Sequence, residues 1–205
     1  MFFSFDGVDG TGKSTQVELF CSWLRECGHE VETYRDPGGT KLGERIREIL
    51  LTSEDTPIHR RSEMLLYMAS RTQLVEEVLK PALAAGKAIV TDRFLLANVV
   101  YQGYAGGLDI EACKAVGQVA TGGLLPDHTF VLDMPADRAA ERIQREKDRM
   151  EQQGDDFSVR VRDGYLAEAK LDPQRITVID ADQTIEAIHG DVKAAVIRAF
   201  PQLTG

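Results

Sequence analysis

Asparagine occurs once in these 205 residues, tryptophan once and cysteine three times, and no apolar run is long. A membrane-spanning helix needs about 20 consecutive apolar residues, so the missing run argues against one. The chain enters an apolar segment at once, without the basic flank of a secretory leader. Cys21, Cys27 and Cys113 are odd in number and lack metal-ligand spacing, which fits free thiols in a reducing compartment. The cytoplasm is the expected setting. Positive charge is also short, since 24 lysines and arginines against 33 aspartates and glutamates leave a formal net charge of −9. That balance argues against nucleic acid as a partner, and it means that an anionic substrate needs a local arginine cluster. The hydrophobic content of 43% is ordinary and supports one α/β domain with a sizeable core.

What is present begins at the first residues. Met1-Phe2-Phe3-Ser4-Phe5 leads into DGVDGTGKST over residues 6–15, which fits G-x-x-x-x-G-K-[ST] through Gly7, Gly12, Lys13 and Ser14. Val17, Phe20, Trp23, Leu24 and Cys27 then recur at helical spacing, with Gly28 at the expected C-cap. A strand, a glycine loop and a helix in that order aim backbone N–H groups and a helix N-terminus at phosphate oxygens. The loop residues Gly7, Val8, Asp9, Gly10, Thr11, Gly12, Lys13, Ser14 and Thr15 are therefore the expected phosphate-chain site. Lys13 reaches the outer phosphates, and the Ser14 hydroxyl suits Mg²⁺. Trp23 belongs to the core stripe.

Further strands are expected at 30–34, 87–92, 128–133 and 175–180; the last three are apolar runs ending in Asp, as buried parallel strands read. Helical patterns cover 43–51, 60–83, 110–122, 136–149, 159–171 and 184–199. This alternation predicts a P-loop-type parallel sheet with helices on both faces and ligands at the strand C-terminal ends.

Three clusters carry further chemistry. On the helix from residue 60, Met64, Tyr67, Arg71, Leu74 and Val78 step by three and four, which puts a guanidinium in an apolar stripe. Arg71 either pairs with a core carboxylate or donates to the carbonyl edge of a flat ring stacked on Tyr67. After the third strand come Asp92-Arg93-Phe94, Asn98 and Tyr101-Gln102-Gly103; Asp92 suits Mg²⁺ and Arg93 a phosphate. Arg35-Asp36-Pro37-Gly38-Gly39-Thr40 is turn chemistry, followed by Arg45 and Arg47, which suit an acceptor phosphate. Lastly, the charge-dense stretch 138–156 carries Arg142, Arg145 and Arg149 at spacings of three and four. It reads either as a solvated helix or as a lid presenting those arginines on one face, and the lid is the favoured reading.

Taken together, DGVDGTGKST, RDPGGT with Arg47, the pair Tyr67 and Arg71, DRF with Asn98 and Tyr101-Gln102-Gly103, and DRME at 148–151 with Phe157 and Tyr165 resemble bacterial thymidylate kinases over residues 2–180. The resemblance implies a five-stranded parallel sheet and one kinase domain over residues 1–205. It places an acceptor region at about 36–71 and a lid at about 138–157. It also implies ATP as co-substrate, Mg²⁺ as cofactor, dTMP as acceptor and a homodimer. By the same resemblance Arg71 and Asn98 face the base, Tyr67 stands where the family has a stacking Phe, and Arg47 and Arg93 grip the acceptor phosphate. Asp9 approaches the 3′-hydroxyl, Tyr101 crowds the place of a ribose 2′-hydroxyl, and Gln102 joins the acceptor site. Catalytic charge comes from Lys13, Arg93 and the lid arginines 142, 145 and 149, because Gly10 stands where one branch of the family has an arginine. Asp6, Asp36, Phe94 and Ala97 depart from the family's usual Glu, Glu, Tyr or His, and Ser.

Other readings are a kinase for another nucleotide, a GTPase and an ATPase acting on a partner. The guanine-reading Asn-Lys-x-Asp is missing, since the one asparagine, Asn98, precedes Val99. A partner-driving ATPase usually brings further domains or a basic track, which an acidic chain of this length lacks.

Overall fold

The computed structural model describes residues 1–52, 57–143 and 149–204. Its centre is a sheet of five parallel strands in the order β2-β3-β1-β4-β5: β1 Phe2–Asp6, β2 Val31–Arg35, β3 Ala88–Asp92, β4 His128–Asp133 and β5 Ile176–Asp180. Every residue of β1 is buried, as a central strand covered on both faces requires. Its side chains alternate between layers. Phe3 and Phe5 pack with Phe20, Leu24 and Phe130, while Phe2 packs with Ile89, Phe94 and Leu74. The edge strand β2 is only partly buried, which accounts for its weak apolar signal.

The helices are α1 Lys13–Glu26, α2 Lys41–Thr52, α3 Arg60–Leu74, α4 Lys80–Ala84, α5 Leu95–Asn98, α6 Ile110–Thr121, α7 Ala136–Glu141, α8 Asp155–Leu171 and α9 Ile185–Ala199. Trp23 on α1 is half-buried against the core. Neighbouring α3 and α4 correct the expected single helix over 60–83. A π turn, Val75–Leu79, separates them, and Lys80 N–H closes it on the Val75 carbonyl. Pro81 supplies the reason: it has no N–H, and in a regular helix its ring would meet the carbonyl four residues back. A second π turn, Val99–Ala105, continues α5 through a segment with no clear helical period in the sequence. The expected helix over 136–149 is also corrected. Among the described residues of that span only Ala136–Glu141 is helical, Arg142 caps it, and Arg149 lies in a turn; Arg145 lies outside the described residues.

Strand order positions the site. From β1 the chain crosses outward to β2 and returns to β3, and later strands fall on the other side of β1. The C-terminal end of β1 is thus the switch point where a crevice opens. No helix among the described residues is long and apolar enough to cross a membrane.

Candidate active site

At that switch point the backbone turns tightly. Gly7, Gly10 and Gly12 have φ of 135°, 88° and 88°, values that L side chains rarely adopt. A Cβ added at Gly10 would lie 2.0 Å from the Ala139 carbonyl oxygen, so α7 closes the space that a side chain at position 10 would need. Thr11 Oγ1 donates to the Val8 carbonyl at 2.9 Å and braces the loop. Lys13 Nζ donates to the Val8 and Gly7 carbonyls at 2.8 and 3.1 Å and lies 3.8 Å from Asp9 Oδ1. Burial, with the nearby Arg93 charge, lowers the Lys13 pKa, against the opposing pull of Asp9 and Asp92.

The ends of β1 and β3 meet here. Ser14 Oγ stands 3.4 Å from Asp92 Oδ2, while Asp92 Oδ1 is buried without a hydrogen-bond partner. Arg93 adopts φ 65°, uncommon for a residue with a side chain. Its Nη2 donates to Asp9 Oδ1 at 2.7 Å and reaches the Tyr101 hydroxyl at 3.2 Å and the Gly7 carbonyl at 3.3 Å. Burial alone would lower the Arg93 pKa; the Asp9 carboxylate and the Tyr101 hydroxyl outweigh it and raise the pKa well above its ordinary value. Burial and Asp9 push the Tyr101 hydroxyl up as well, so Tyr101 stays a neutral donor and acceptor.

Arg71 meets the first of the two alternatives left open by its position, the core carboxylate. It is 1% exposed, and its Nε donates to Asp36 Oδ2 at 2.5 Å, so it has a core carboxylate. Its Nη1 donates to Asn98 Oδ1 at 2.5 Å and its Nη2 to the Phe94 carbonyl at 3.2 Å. Arg71 also lines the same cleft as Tyr67 and Asn98. Burial raises the Asp36 pKa, with Arg71 opposing. Arg47 Nη1 is held on the Pro37 carbonyl at 2.9 Å, and burial followed by repulsion from Arg35 lowers its pKa. Arg45 is exposed.

One cleft of about 550 Å³ is lined by Asp9, Gly10, Gly12, Lys13, Ser14 and Thr15 of the loop, by Asp92 and Arg93, and by Arg47, Tyr67, Arg71, Asn98, Tyr101 and Gln102. Its volume suits small-molecule ligands. Its wall carries Lys13 and five arginines, at positions 35, 47, 71, 93 and 142, against three carboxylates, Asp9, Asp36 and Asp92. A chain of net charge −9 thus concentrates cations here, the arrangement that attracts anionic ligands. Gly7 and Thr11 shape the loop from behind, and Val8 lines a neighbouring cavity. Arg142 and Arg149 do not share a face. Arg142 Nη1 donates to the Ala181 carbonyl at 3.3 Å, whereas Arg149 is drawn to Glu63 at 2.5 Å and the Leu50 carbonyl at 2.7 Å. The one-face expectation fails for Arg142 and Arg149, because α7 ends at Glu141 and a buried carboxylate competes for Arg149.

Glu63 was not among the expected site residues. It precedes Tyr67 by one helical turn on the stripe that made Arg71 conspicuous, so a second charge in an apolar stripe was a usable signal. Asp36 was conspicuous as turn chemistry and as a departure from the family's usual Glu, and not as a partner for Arg71.

The family model described as thymidylate kinase matches residues 5–192. The chain is 48% identical over 194 residues to thymidylate kinase of Kosmotoga olearia, covering 94% of this chain and 93% of the relative. It is 46% identical over 196 residues to that of Caldanaerobacter subterraneus, covering 95% and 94%. Among solved structures, thymidylate kinase from Ehrlichia chaffeensis superposes with a TM-score of 0.79 at 31% identity, covering 96% of this chain and 97% of that one.

Proposed function

The chain belongs to the thymidylate kinase family, and on that premise we propose that it transfers the γ-phosphoryl group of ATP to dTMP, giving dTDP and ADP, in the cleft at the β1 switch point. One observation carries the assignment of that cleft: the phosphate loop and the Arg71–Asn98–Tyr67 cluster line the same cavity, so a donor phosphate chain and a flat base face one space.

Little covalent chemistry falls to the protein in such a transfer, which is governed by alignment and charge neutralisation. The loop N–H groups and Lys13 hold the donor phosphates. Lys13 now rests on two loop carbonyls, weak partners that an outer phosphate oxygen replaces favourably. Ser14 and Asp92 are the residues that would hold Mg²⁺. Both offer hard oxygen donors, and Asp92 Oδ1 accepts no hydrogen bond, with Arg93 Nη1 at 3.7 Å its ionic neighbour, so it is open to a further ligand. When bound, Mg²⁺ neutralises charge on the donor phosphates. Arg93 and Arg47 orient the acceptor phosphate, Asp9 takes the sugar 3′-hydroxyl, and Tyr101 with Gln102 closes the acceptor side. Arg71 and Asn98 meet the edge of the base while Tyr67 stacks on its face. Gly10 supplies no charge to the migrating group; Arg142, which lines the cleft, supplies it, with Arg145 and Arg149 the further arginines of that segment. The same reading takes the enzyme to be a homodimer in the cytoplasm.

The test is ADP formation with ATP, Mg²⁺ and one monophosphate at a time. Turnover is expected to be best with dTMP, and lower with dUMP by at most about 200-fold, the value of one methyl group in a tight pocket. Equal turnover of dCMP and dTMP would overturn the acceptor assignment. ATP turnover unaffected by any acceptor would favour an ATPase instead.

A further inference from the structure

A buried polar chain leaves the candidate base site and ends on Glu63, which the transfer mechanism does not use. Arg71 Nη1 donates to Asn98 Oδ1 at 2.5 Å, Asn98 Nδ2 donates to Gln102 Oε1 at 2.6 Å, and Gln102 Nε2 donates to Glu63 Oε1 at 3.0 Å. Exposure along this path is 1%, 2%, 1% and 0% for Arg71, Asn98, Gln102 and Glu63. Arg149 Nη2 donates to Glu63 Oε2 at 2.5 Å, and Arg60 Nη1 lies 3.3 Å from Oε1. Glu63 also sits in the first turn of α3, where the helix dipole favours a negative charge. Two guanidinium groups and a helix start thus surround the Glu63 carboxylate in the interior.

The chemistry of the two ends decides the orientation of the middle. A guanidinium only donates, a carboxylate only accepts, and a carboxamide presents either side depending on its flip. Glu63 requires the Gln102 amide to turn its NH₂ inward, so its oxygen faces Asn98. Arg71 requires the Asn98 oxygen, so the Asn98 NH₂ faces Gln102. The two requirements agree. Flipping either amide sets oxygen against oxygen on one side and N–H against N–H on the other, a costly mismatch for buried groups.

We propose that Glu63 is a positioning residue for base selection: through Gln102 it locks the Asn98 amide so that an acceptor oxygen stands beside the Arg71 donors on the cleft wall. A donor next to an acceptor complements a pyrimidine with a 4-keto oxygen and an N3–H. It opposes a 4-amino pyrimidine, whose ring edge has the reverse order. This rests on the reading in which Arg71 and Asn98 face the base of dTMP. Without the charge at position 63 both amides lose their fixed polarity, and the wall no longer separates the two kinds of base.

The test compares kcat/KM for dTMP and dCMP in the full-length protein, in Glu63→Gln, and in the double variant Glu63→Gln with Gln102→Glu. The single variant is expected to lower the dTMP-to-dCMP ratio by about tenfold, the effect of one misplaced buried hydrogen bond. The double variant moves the carboxylate one step along the chain. It again accepts from Asn98 Nδ2 and restores the Asn98 orientation, so the ratio is expected to climb back toward that of the unmutated protein. Equal loss for both acceptors in the single variant would overturn the inference and leave Glu63 a structural residue. A double variant no more selective than the single one would overturn it too. An unmutated protein that uses dCMP as well as dTMP would instead refute the underlying functional reading, before any variant is compared.

Discussion

Substituting Asp6→Asn is expected to stabilise the protein at neutral pH and to leave it unchanged in acid. Asp6 ends β1 directly beneath the phosphate loop and is fully buried. Ser4 Oγ donates to its Oδ2 at 2.7 Å, and the Tyr165 hydroxyl donates to its Oδ1 at 3.3 Å. Burial pushes its pKa from 3.8 up to about 6, against the Ser4 hydrogen bond and the Arg93 and Lys13 charges. The folded state therefore keeps its proton longer than the unfolded state as pH rises. A raised acid pKa contributes stability that is fully present below pH 3.8 and is lost by the time the pH passes about 6. At 1.36 kcal/mol per pH unit, the gap corresponds to about 3 kcal/mol. The asparagine side chain keeps the shape without the charge, and the Ser4 hydroxyl can rotate to accept from its NH₂. Melting of both proteins from pH 4 to pH 8 reads the effect. The two curves should coincide near pH 4 and separate by roughly 6–12 °C at pH 7 and above, given the usual sensitivity of Tm in chains of this size. A separation that does not change with pH would refute the reasoning, because the amide would then be acting through packing alone.

Other substitutions probe the cleft itself. Lys13→Ala is expected to lower kcat by about a hundredfold or more, with dTMP binding intact, as loss of one preorganised charge does; a change confined to KM would mean that the lysine binds ground and transition states alike. Arg71→Ala strands the buried Asp36 carboxylate, so a loss of about 3–5 kcal/mol in denaturant unfolding should accompany weaker dTMP binding. An unchanged unfolding midpoint would argue against the pairing. Gly10→Ala puts a Cβ against the Ala139 carbonyl at φ 88°, and calorimetry should show a loss of roughly 1–3 kcal/mol; a variant as stable as the parent would mean that α7 yields freely.

The central strands were legible because a parallel strand buried on both faces reads as a continuous apolar run, as at Phe2-Phe3-Ser4-Phe5 and Thr129-Phe130-Val131-Leu132. Their order in the sheet was not, because pairing β1 with both β3 and β4 joins segments far apart in the chain. The phosphate loop was legible in full, since its glycines and its lysine are local requirements of one turn. Arg71 announced itself as a charge within an apolar stripe, but its partner Asp36 lies 35 residues away and only the fold brings them together. The stretch after β4 misled for a related reason: Arg142, Arg145 and Arg149 have helical spacing, yet spacing is a local preference and the buried Glu63 is a stronger tertiary demand on Arg149. Pro81 stood in plain view within a helical pattern, and its missing N–H is what the π turn before it accommodates.

The most direct test follows the label from [γ-³²P]ATP. With Mg²⁺ and dTMP present, the account predicts that radioactivity leaves ATP and appears in dTDP in step with the ADP formed, with little released as inorganic phosphate. Label recovered as inorganic phosphate at the same rate with and without dTMP would contradict it.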